Sequence, residues 1–459
     1  MAAEETEPPA TTDPAATEHE PAEAAPESSG DRAAPVPLLT LRDGLPEITE
    51  TEPQLADVVR RVADGSGPVA LDAERASGYR YSPRAYLIQL RREGSGTALI
   101  DPIAYPDLAD LDTAFGGAEW ILHAASQDIP CLREVGLVPT RLFDTELAAR
   151  LLGYPRVGLA TLVEVIMGRS MRKEHSAVDW SKRPLPQPWL EYAALDVEVL
   201  LELREVLVAE LEESGKSEWA AQEFQHLIDH VPPPRVDPWR RTSGIHKAKG
   251  RRALAAVREL WTTRDEIAQQ RDTTPGRLVP DSALIIAANA MPGTASALLE
   301  TQGFHGRGAR RYADRWMAAL ERARQLRDSD LPPLAVRSDG PPAPRVWAER
   351  EPVAAARLAT ARELVNDFAE RRKVPVENLL TPDYLRRVLW KPPSADRAEM
   401  ETAVAAELLG LGARTWQVEI MAPLLTRAIL DPKPAARPTP VAEAEPAAEA
   451  GAAEEPTPS

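Results

Sequence analysis

The stretch Pro68-Val69-Ala70-Leu71-Asp72-Ala73-Glu74 is a short apolar run that ends in two carboxylates. The apolar run, which a Gly-Pro turn signal precedes, predicts a buried strand. Side chains two apart in a strand point to the same face, so Asp72 and Glu74 should project together. Two acids held that close repel each other unless a cation lies between them, and hard oxygen ligands suit Mg²⁺ or Mn²⁺. An Asp-x-Glu alone is more often a solvated strand edge, so the metal hypothesis depends on carboxylates downstream.

Length and composition are typical of a soluble protein with several domains. The 459 residues suffice for two to four domains at roughly 100–200 residues each. No apolar run approaches the roughly 18 residues of a membrane span, and the acidic N-terminus lacks the apolar core of a signal peptide. The single cysteine, Cys131, excludes an intramolecular disulfide and a cysteine-rich zinc site. We therefore expect a cytoplasmic protein.

The net charge of −17 is concentrated at the two ends of the chain. Residues 1–37 hold nine acids and one base, and residues 432–459 hold five acids and two bases. Both ends are rich in Ala, Pro, Glu and Thr, so we predict disordered tails at 1–37 and 431–459. Polyanionic tails repel nucleic acid, so a nucleic-acid substrate would bind elsewhere.

The rest of the chain divides at two Pro-rich linkers, 231–238 and 329–344. Residues 38–230 are predicted to be an α/β domain with a mixed sheet, because strands come first and helices follow. The predicted strands after the opening one are 85–90, 97–101 and 120–124. The predicted helices are 126–134, 144–152, 159–167 and 188–212.

Two helical blocks, 239–328 and 345–430, follow the α/β domain. Their first helices share an Arg-Glu-Leu triplet, and a Pro-Asp pair opens a later helix in each block. This similarity indicates a diverged repeat, although two unrelated helical domains could share it by chance. The first block holds seventeen bases and nine acids, whereas the second holds thirteen and twelve. Only the first is basic enough to predict contact with nucleic acid.

Further candidate ligands lie downstream of the opening strand. Asp128 follows the predicted strand 120–124, and the ends of strands are where sheet-based active sites collect their residues. Tyr192 and Asp196 are four apart on a predicted helix, so they share one face. Taken singly, each is more typical of a partly buried ring or a solvated acid.

Other polar residues are better explained by structure. His226 and His230 are four apart on a helix, but no third metal ligand is visible. His123 is expected to be packed, Cys131 to be a core residue, and Asp144 to cap the helix that it precedes.

Together, Asp72, Glu74, Asp128, Tyr192 and Asp196 resemble the three motifs of the DEDD family of 3′–5′ exonucleases. The match is to the branch with tyrosine in the third motif, since the position of the histidine in the other branch holds Glu191. Three flanking segments resemble the ribonuclease D subfamily: Phe143-Asp144-Thr145, Gly158-Leu159-Ala160-Thr161-Leu162 and Asp179-Trp180-Ser181-Lys182-Arg183-Pro184-Leu185. Block 239–328 resembles a helicase-and-RNase-D C-terminal (HRDC) domain, and block 345–430 resembles a divergent copy.

The resemblance implies an RNase H-like α/β exonuclease domain with a mixed sheet, followed by two all-α HRDC-like domains. It implies that Asp72, Glu74, Asp128 and Asp196 hold two divalent cations, Mg²⁺ or Mn²⁺, and that Tyr192 holds the attacking water. The implied activity is hydrolysis of RNA from a free 3′ end, releasing nucleoside 5′-monophosphates. Precursors of tRNA are the implied substrate, and neither a membrane nor an obligate protein partner is expected.

Two other functions stay open at this point. A DNA exonuclease of the same branch is disfavoured because no polymerase or helicase is attached to the chain. A non-catalytic RNA-binding scaffold is disfavoured because all five motif residues are intact.

Basic residues predict where RNA phosphates would bind. Arg75 stands where the family usually has an aromatic residue, Arg80 and Arg84 follow, and a guanidinium suits phosphate geometry. The candidates in the first helical block are Lys247, Lys249, Arg251, Arg252, Arg307, Arg310 and Arg311. Gly306 and Gly308 would let backbone amides approach a phosphate where a helix begins. An ordinary solvated basic surface is the alternative.

Overall fold

The computed structural model describes residues 36–433 except 173, 174, 176, 232 and 336–339. The predicted disordered tails therefore lie outside the described residues, apart from the few positions that adjoin the folded part. None of the helices in the described part of the chain is both long enough and apolar enough to cross a bilayer.

A six-stranded mixed sheet forms the centre of the first domain, in the order β1-β4-β3-β2-β5-β6. The strands are β1 Ile48–Thr49, β2 Ser66–Arg75, β3 Ala85–Glu93, β4 Gly96–Ile100, β5 Trp120–Leu122 and β6 Leu142–Asp144. Strands β2, β3 and β4 are antiparallel, whereas β5 runs parallel to β2, β6 to β5, and β1 to β4. The predicted mixed sheet is confirmed, although the short strands β1 and β6 were not predicted.

Strand β2 lies in the middle of this sheet, as its apolar run requires. Val69, Ala70 and Leu71 are fully buried between the neighbouring strands and helices. Asp72 and Glu74 follow on the same strand, and the register shifts directly after Glu74. The two carboxylates therefore lie at the end of the most buried strand.

Eight helices surround the sheet within the described residues of this domain. They are α1 Glu52–Asp64, α2 Ala109–Phe115, α3 Ile129–Glu134, α4 Thr145–Leu152, α5 Leu159–Met167, α6 Gln187–Glu198, α7 Leu200–Glu213 and α8 Ser217–Asp229. The single helix predicted over 188–212 is two helices that meet at Val199. Helix α6 packs across β2, β3 and β4, and so covers the face that carries Asp72.

The first helical domain (residues 239–328) has a core of its own, built around Leu260, Phe304 and Trp316. Its helices are α9 Gly250–Arg271, α10 Pro275–Leu278, α11 Asp281–Ala290, α12 Ala295–Glu300, α13 Arg307–Arg311 and α14 Ala313–Gln325. The core is separate from that of the α/β domain, so other contacts must join the two.

Polar contacts join the first helical domain to the segment between β2 and β3. The Asp272 carboxylate accepts hydrogen bonds from the backbone N–H groups of Tyr81, at 3.1 Å, and Ser82, at 2.9 Å. Arg277 donates to the Gly78 carbonyl at 2.9 Å, and its guanidinium lies 4.0 Å from the centroid of the Tyr79 ring. This joint therefore lies on the segment that leads directly out of the strand bearing Asp72 and Glu74.

The second helical domain (residues 345–430) shares one continuous hydrophobic core with the α/β domain. Its helices are α15 Trp347–Arg350, α16 Pro352–Arg372, α17 Val376–Leu379, α18 Pro382–Trp390, α19 Met400–Leu411 and α20 Thr415–Leu430. Two domains that share a core stabilise each other by common burial of apolar surface.

Helices α8 and α20 form the centre of this shared interface. The Trp416 ring stacks on Trp219 with centroids 4.8 Å apart. The Glu223 carboxylate accepts hydrogen bonds from the Trp416 indole at 2.8 Å and from the Arg414 guanidinium at 2.6 and 2.8 Å. Gly153 has φ +85°, and a Cβ there would lie 2.3 Å from the Lys373 carbonyl oxygen, so only glycine fits this close approach.

Candidate active site

Three carboxylates from two elements converge at the end of β2. Asp72 and Glu74 project from one face of the strand, and Asp196 comes down from α6 above it. Each of the three offers an oxygen atom, and these oxygens lie within 4.8 Å of one another. This is the one such group of three or more potential ligands in the part of the chain that the structure describes.

Tyr192 lies one turn before Asp196 on α6, as the four-residue spacing predicts. Its hydroxyl lies close enough to the Asp196 carboxylate for that charge to act on it. Burial, together with the negative charges of Asp196, Glu74 and Asp72, raises the pKa of Tyr192 far above its ordinary value. The hydroxyl therefore stays protonated and can act as a hydrogen-bond donor, but not as a base.

Asp128 lies beside this group, at the start of α3, and is buried. It is close enough to Asp72 for that charge to raise its pKa. Its Oδ1 lies 3.8 Å from Nε of Arg75, and Nη2 of the same guanidinium donates to Gln127 Oε1 at 3.1 Å. The structure thus brings all five motif residues together and adds Arg75 at their edge.

Burial determines the electrostatics of the site. Loss of solvation raises the pKa of Asp72 to about 6 and that of Glu74 to about 10. It also raises the pKa values of Asp128 and Asp196 well above the ordinary range. Arg75 opposes these shifts at three of the four carboxyls, but a single guanidinium does not balance four acids.

The donor set fits divalent cations. Asp128 is buried and the other three carboxylates are partly buried, and together they offer hard oxygen ligands, which Mg²⁺ and Mn²⁺ prefer. A cation between them would compensate for their lost solvation and their mutual repulsion, and would let all four ionise at neutral pH.

The support of Asp128 by Asp144 could not be predicted from sequence. Asp144 caps α4 as predicted, accepting hydrogen bonds from the N–H groups of Glu146 and Leu147. The same carboxylate also accepts from the N–H groups of Ala124 and Ala125, in the turn that leads to Asp128. The aspartate was recognisable as a cap, but its second role depends on the parallel pairing of β5 with β6.

The segment 179–185 anchors the start of α6. The Arg183 guanidinium binds both oxygens of Asp101, at 2.5 and 2.8 Å, and the Tyr86 carbonyl at 2.7 Å. The buried Trp180 ring packs edge-on against Trp189 of α6, with centroids 5.5 Å apart. These contacts hold α6, and therefore Tyr192, against the sheet.

The histidines and the cysteine for which the sequence predicted structural roles lie in structural environments. The Nδ1 atom of His123 lies 2.9 Å from the Thr145 hydroxyl, and burial lowers the His123 pKa to about 4. The Cys131 thiol is buried, and its pKa rises to about 12, so it is unreactive. The rings of His226 and His230 lie 5.1 Å apart, and among the described residues no third ligand completes a metal site with them.

The basic residues predicted to contact RNA fall into different environments. Arg80 donates to the Ser181 hydroxyl at 2.7 Å, and the Arg84 guanidinium lies 5.9 Å from the centroid of the Tyr86 ring. Arg251 and Arg252 donate to backbone carbonyls at 323–332, so they stabilise the end of α14. Arg251 is nevertheless exposed, as are Lys247, Lys249, Arg307, Arg310 and Arg311.

Gly308 serves packing rather than access for a phosphate. A Cβ at this position would lie 3.2 Å from the Leu278 carbonyl oxygen, so glycine lets α13 approach α10 closely. The arginines on either side of it point to the surface instead.

Three family models match consecutive parts of the chain. A 3′–5′ exonuclease model matches residues 46–212, and an HRDC model matches 253–320. A model described as the C-terminal domain of a 3′ to 5′ exonuclease matches 340–429, which is the region of the predicted divergent HRDC copy.

Curated proteins and solved structures give the same assignment. Ribonuclease D of Granulibacter bethesdensis is 34% identical over 276 residues, which cover 58% of this chain and 69% of that protein. Ribonuclease D of Escherichia coli is 30% identical over 353 residues, covering 74% and 90%.

Among solved structures, a protein from Bifidobacterium adolescentis is similar with a TM-score of 0.78 and 39% identity, covering 86% of this chain and 99% of that one. The crystal structure of E. coli RNase D, described as an exoribonuclease involved in structured RNA processing, has a TM-score of 0.60 and 27% identity, covering 83% and 98%.

The raised pKa of Asp72 predicts a pH dependence of the metal-free protein. A carboxyl whose folded pKa is raised from 3.8 to about 6 stabilises the fold fully below pH 3.8, and this contribution is lost as the pH rises through 6. In EDTA, Asp72→Asn should therefore have the same Tm as the wild type near pH 4 and a higher Tm at pH 7. The corresponding gain in the free energy of unfolding at pH 7 is at most about 3 kcal/mol.

Saturating Mg²⁺ should reverse this order, because only the wild-type carboxylate gains a cation. Differential scanning fluorimetry across pH 4–8, with EDTA or Mg²⁺, measures both effects. Equal Tm values for the two proteins at pH 7 in EDTA would contradict the burial of an uncompensated Asp72.

Proposed function

Because the chain belongs to the ribonuclease D family of metal-dependent 3′–5′ exoribonucleases, we propose that it matures the 3′ ends of structured RNA, tRNA precursors above all. The observation that carries the proposal is the convergence of Asp72, Glu74 and Asp196 on one point, with Asp128 and Tyr192 beside them. The reaction that this geometry supports is hydrolysis of the terminal phosphodiester.

The four carboxylates are the proposed ligands of two divalent cations, Mg²⁺ or Mn²⁺. When bound, such a pair supplies an activated water and stabilises the leaving 3′ oxygen. In hydrolysis, the water oxygen forms a new bond to phosphorus, the bond from phosphorus to the 3′ oxygen of the preceding nucleotide breaks, and that oxygen takes up a proton. The products are a nucleoside 5′-monophosphate and a shortened chain that ends in a new 3′ hydroxyl.

Tyr192 is proposed to hold the attacking water. Its protonated hydroxyl lies on the same face of α6 as Asp196, close to the carboxylates of Asp196, Glu74 and Asp72. Arg75 lies beside Asp128 at the end of β2, where its guanidinium can contact the phosphate that enters the site.

A direct comparison of substrates tests the proposal. Purified protein is incubated with a 3′-extended tRNA precursor and with single-stranded DNA of matched sequence, each with and without Mg²⁺. We expect Mg²⁺-dependent release of monophosphates from RNA, little release from DNA, and none by Asp72→Asn. Preferred hydrolysis of DNA would select the DNA exonuclease, and binding of RNA without hydrolysis would select the scaffold.

Tyr192→Phe tests the role of the tyrosine hydroxyl. The substitution keeps the ring and removes the group that would hold the water, so kcat should fall by about 10²–10⁴-fold. The affinity for RNA, measured in Ca²⁺ or EDTA, should stay close to that of the wild type. A loss of affinity with kcat preserved would make Tyr192 a substrate-binding residue.

The proposed RNA-binding surface lies on the first helical domain. Arg307, Arg310 and Arg311 are exposed on α13, which packs against α10. Helix α10 carries Arg277, which contacts the α/β domain at Gly78. The arginine cluster is therefore one helix away from the joint with the catalytic domain, in the most basic part of the chain.

Neutralising this cluster tests whether it binds RNA. Replacing Arg307, Arg310 and Arg311 by Gln should weaken the binding of long RNA and flatten its salt dependence, by a slope of up to about one per lost phosphate contact. Hydrolysis of a very short oligonucleotide should persist, because it needs only the catalytic pocket. A control triple of the same charge change, Arg345, Arg350 and Lys391 to Gln in the second helical domain, should leave the slope unchanged. An unchanged salt dependence of RNA binding in the α13 variant would show that the RNA-binding surface lies elsewhere.

A further inference from the structure

Gln89 is a buried glutamine directly opposite Asp72 in the sheet. It lies in the middle of β3, paired with Asp72 on β2 and with Leu99 on β4. Directly opposed residues of an antiparallel pair point to the same face, with Cβ atoms about 4.5–5.5 Å apart. The Gln89 side chain therefore lies on the Asp72 face, below the helix that carries Tyr192 and Asp196.

Neither polar atom of this side chain has a hydrogen-bond partner, although Gln89 is fully buried. A buried amide left without partners costs about 1–3 kcal/mol, and such exceptions in a folded protein call for a physical explanation. A leucine of similar size would suit the metal-free fold better. Stability alone does not account for a glutamine here.

The charged neighbours on this face are committed to other partners. Arg91, the next residue of β3 on the same face, donates to the Thr97 hydroxyl at 2.8 Å. It also forms ion pairs with Glu198, at 3.3 Å, and Asp43, at 3.1 Å. Asp72 remains as the polar group directly across the sheet.

We propose that Gln89 is a positioning residue for Asp72, donating an amide hydrogen bond to the carboxylate oxygen that faces away from the cation. The inference rests on the proposed role of Asp72 as a metal ligand. Carboxylates that bind a metal are commonly oriented by a further hydrogen bond, whose loss costs about 10–100-fold in metal affinity. A neutral amide provides that bond without adding a positive charge that would repel the metal.

The bond requires an ionised Asp72, because a carboxylate oxygen is a stronger acceptor than a carboxylic acid. A bound cation would keep the carboxylate ionised, so the amide is expected to donate to Asp72 when the cation is present.

Gln89→Leu separates this role from a structural one. The substitution removes an unpaired amide, so the Tm in EDTA should stay the same or rise. The affinity for Mn²⁺ in the absence of RNA, measured by titration calorimetry, should fall by about 10–100-fold. Gln89→Met, which is unbranched and of the same length, provides a second variant should leucine prevent folding.

Gln417→Leu is a matched control in the second helical domain. Gln417 is also buried, but its amide donates to the Asn378 carbonyl at 2.9 Å and its oxygen accepts from the Arg414 N–H at 3.2 Å. This control should lower the Tm and leave the Mn²⁺ affinity unchanged, the opposite of the pattern expected for Gln89.

Wild-type Mn²⁺ affinity in both Gln89 variants would overturn the inference. A lower Tm with unchanged affinity would show instead that the amide is structural, for example through a buried water shared with the Trp180 indole, which also lacks a partner. Asp72→Asn is titrated in parallel. If it binds Mn²⁺ as the wild type does, the proposed metal site fails and the inference fails with it.

Discussion

Crowding of several carboxylates at one partly buried point is the constraint on which the catalytic half of this protein depends. Loss of solvation raises the pKa values of these carboxyls, and among the described residues Arg75 is the counter-charge that lowers them. The rest of the domain must therefore hold them in place. The central strand, the helix across it and the anchored segment 179–185 all serve that end.

These supports act on different parts of the site. Asp144 fixes the turn before Asp128, while Arg183 and Trp180 fix the start of α6. Neither set touches the reacting atoms. Both lie on elements packed into the core, where a displaced side chain has no alternative position. The stability of the core is thus used to hold an arrangement of charges that electrostatics alone would disperse.

The sequence was sufficient to predict the mixed sheet and the residues that now lie together, because both depend on local pattern. An apolar run ending in Asp-x-Glu and a Tyr-x₃-Asp spacing carry their geometry within a few positions. The sequence could not predict the second role of Asp144, the pairing of Arg183 with Asp101, or the unpaired amide of Gln89. Each of these depends on which strands are neighbours, and that is set by contacts between distant parts of the chain. Charge alone also could not reveal that Arg252 donates to the last carbonyls of α14 and that Arg251 donates to the carbonyls of Leu331 and Pro332.

The joint between the first helical domain and the α/β domain bears on whether a domain can be replaced by the corresponding domain of a relative. Asp272 and Arg277 bind backbone groups of the segment between β2 and β3, and every residue type except proline offers the same N–H and C=O groups. These backbone bonds can survive a change of side chains in that segment, although the stacking of Arg277 on Tyr79 and the bond from the Tyr81 hydroxyl to Asp265 cannot. The second helical domain has no such freedom, because Trp416 and Trp219 must fit each other in shape. The first helical domain therefore depends less on the side chains of its neighbour than the second does.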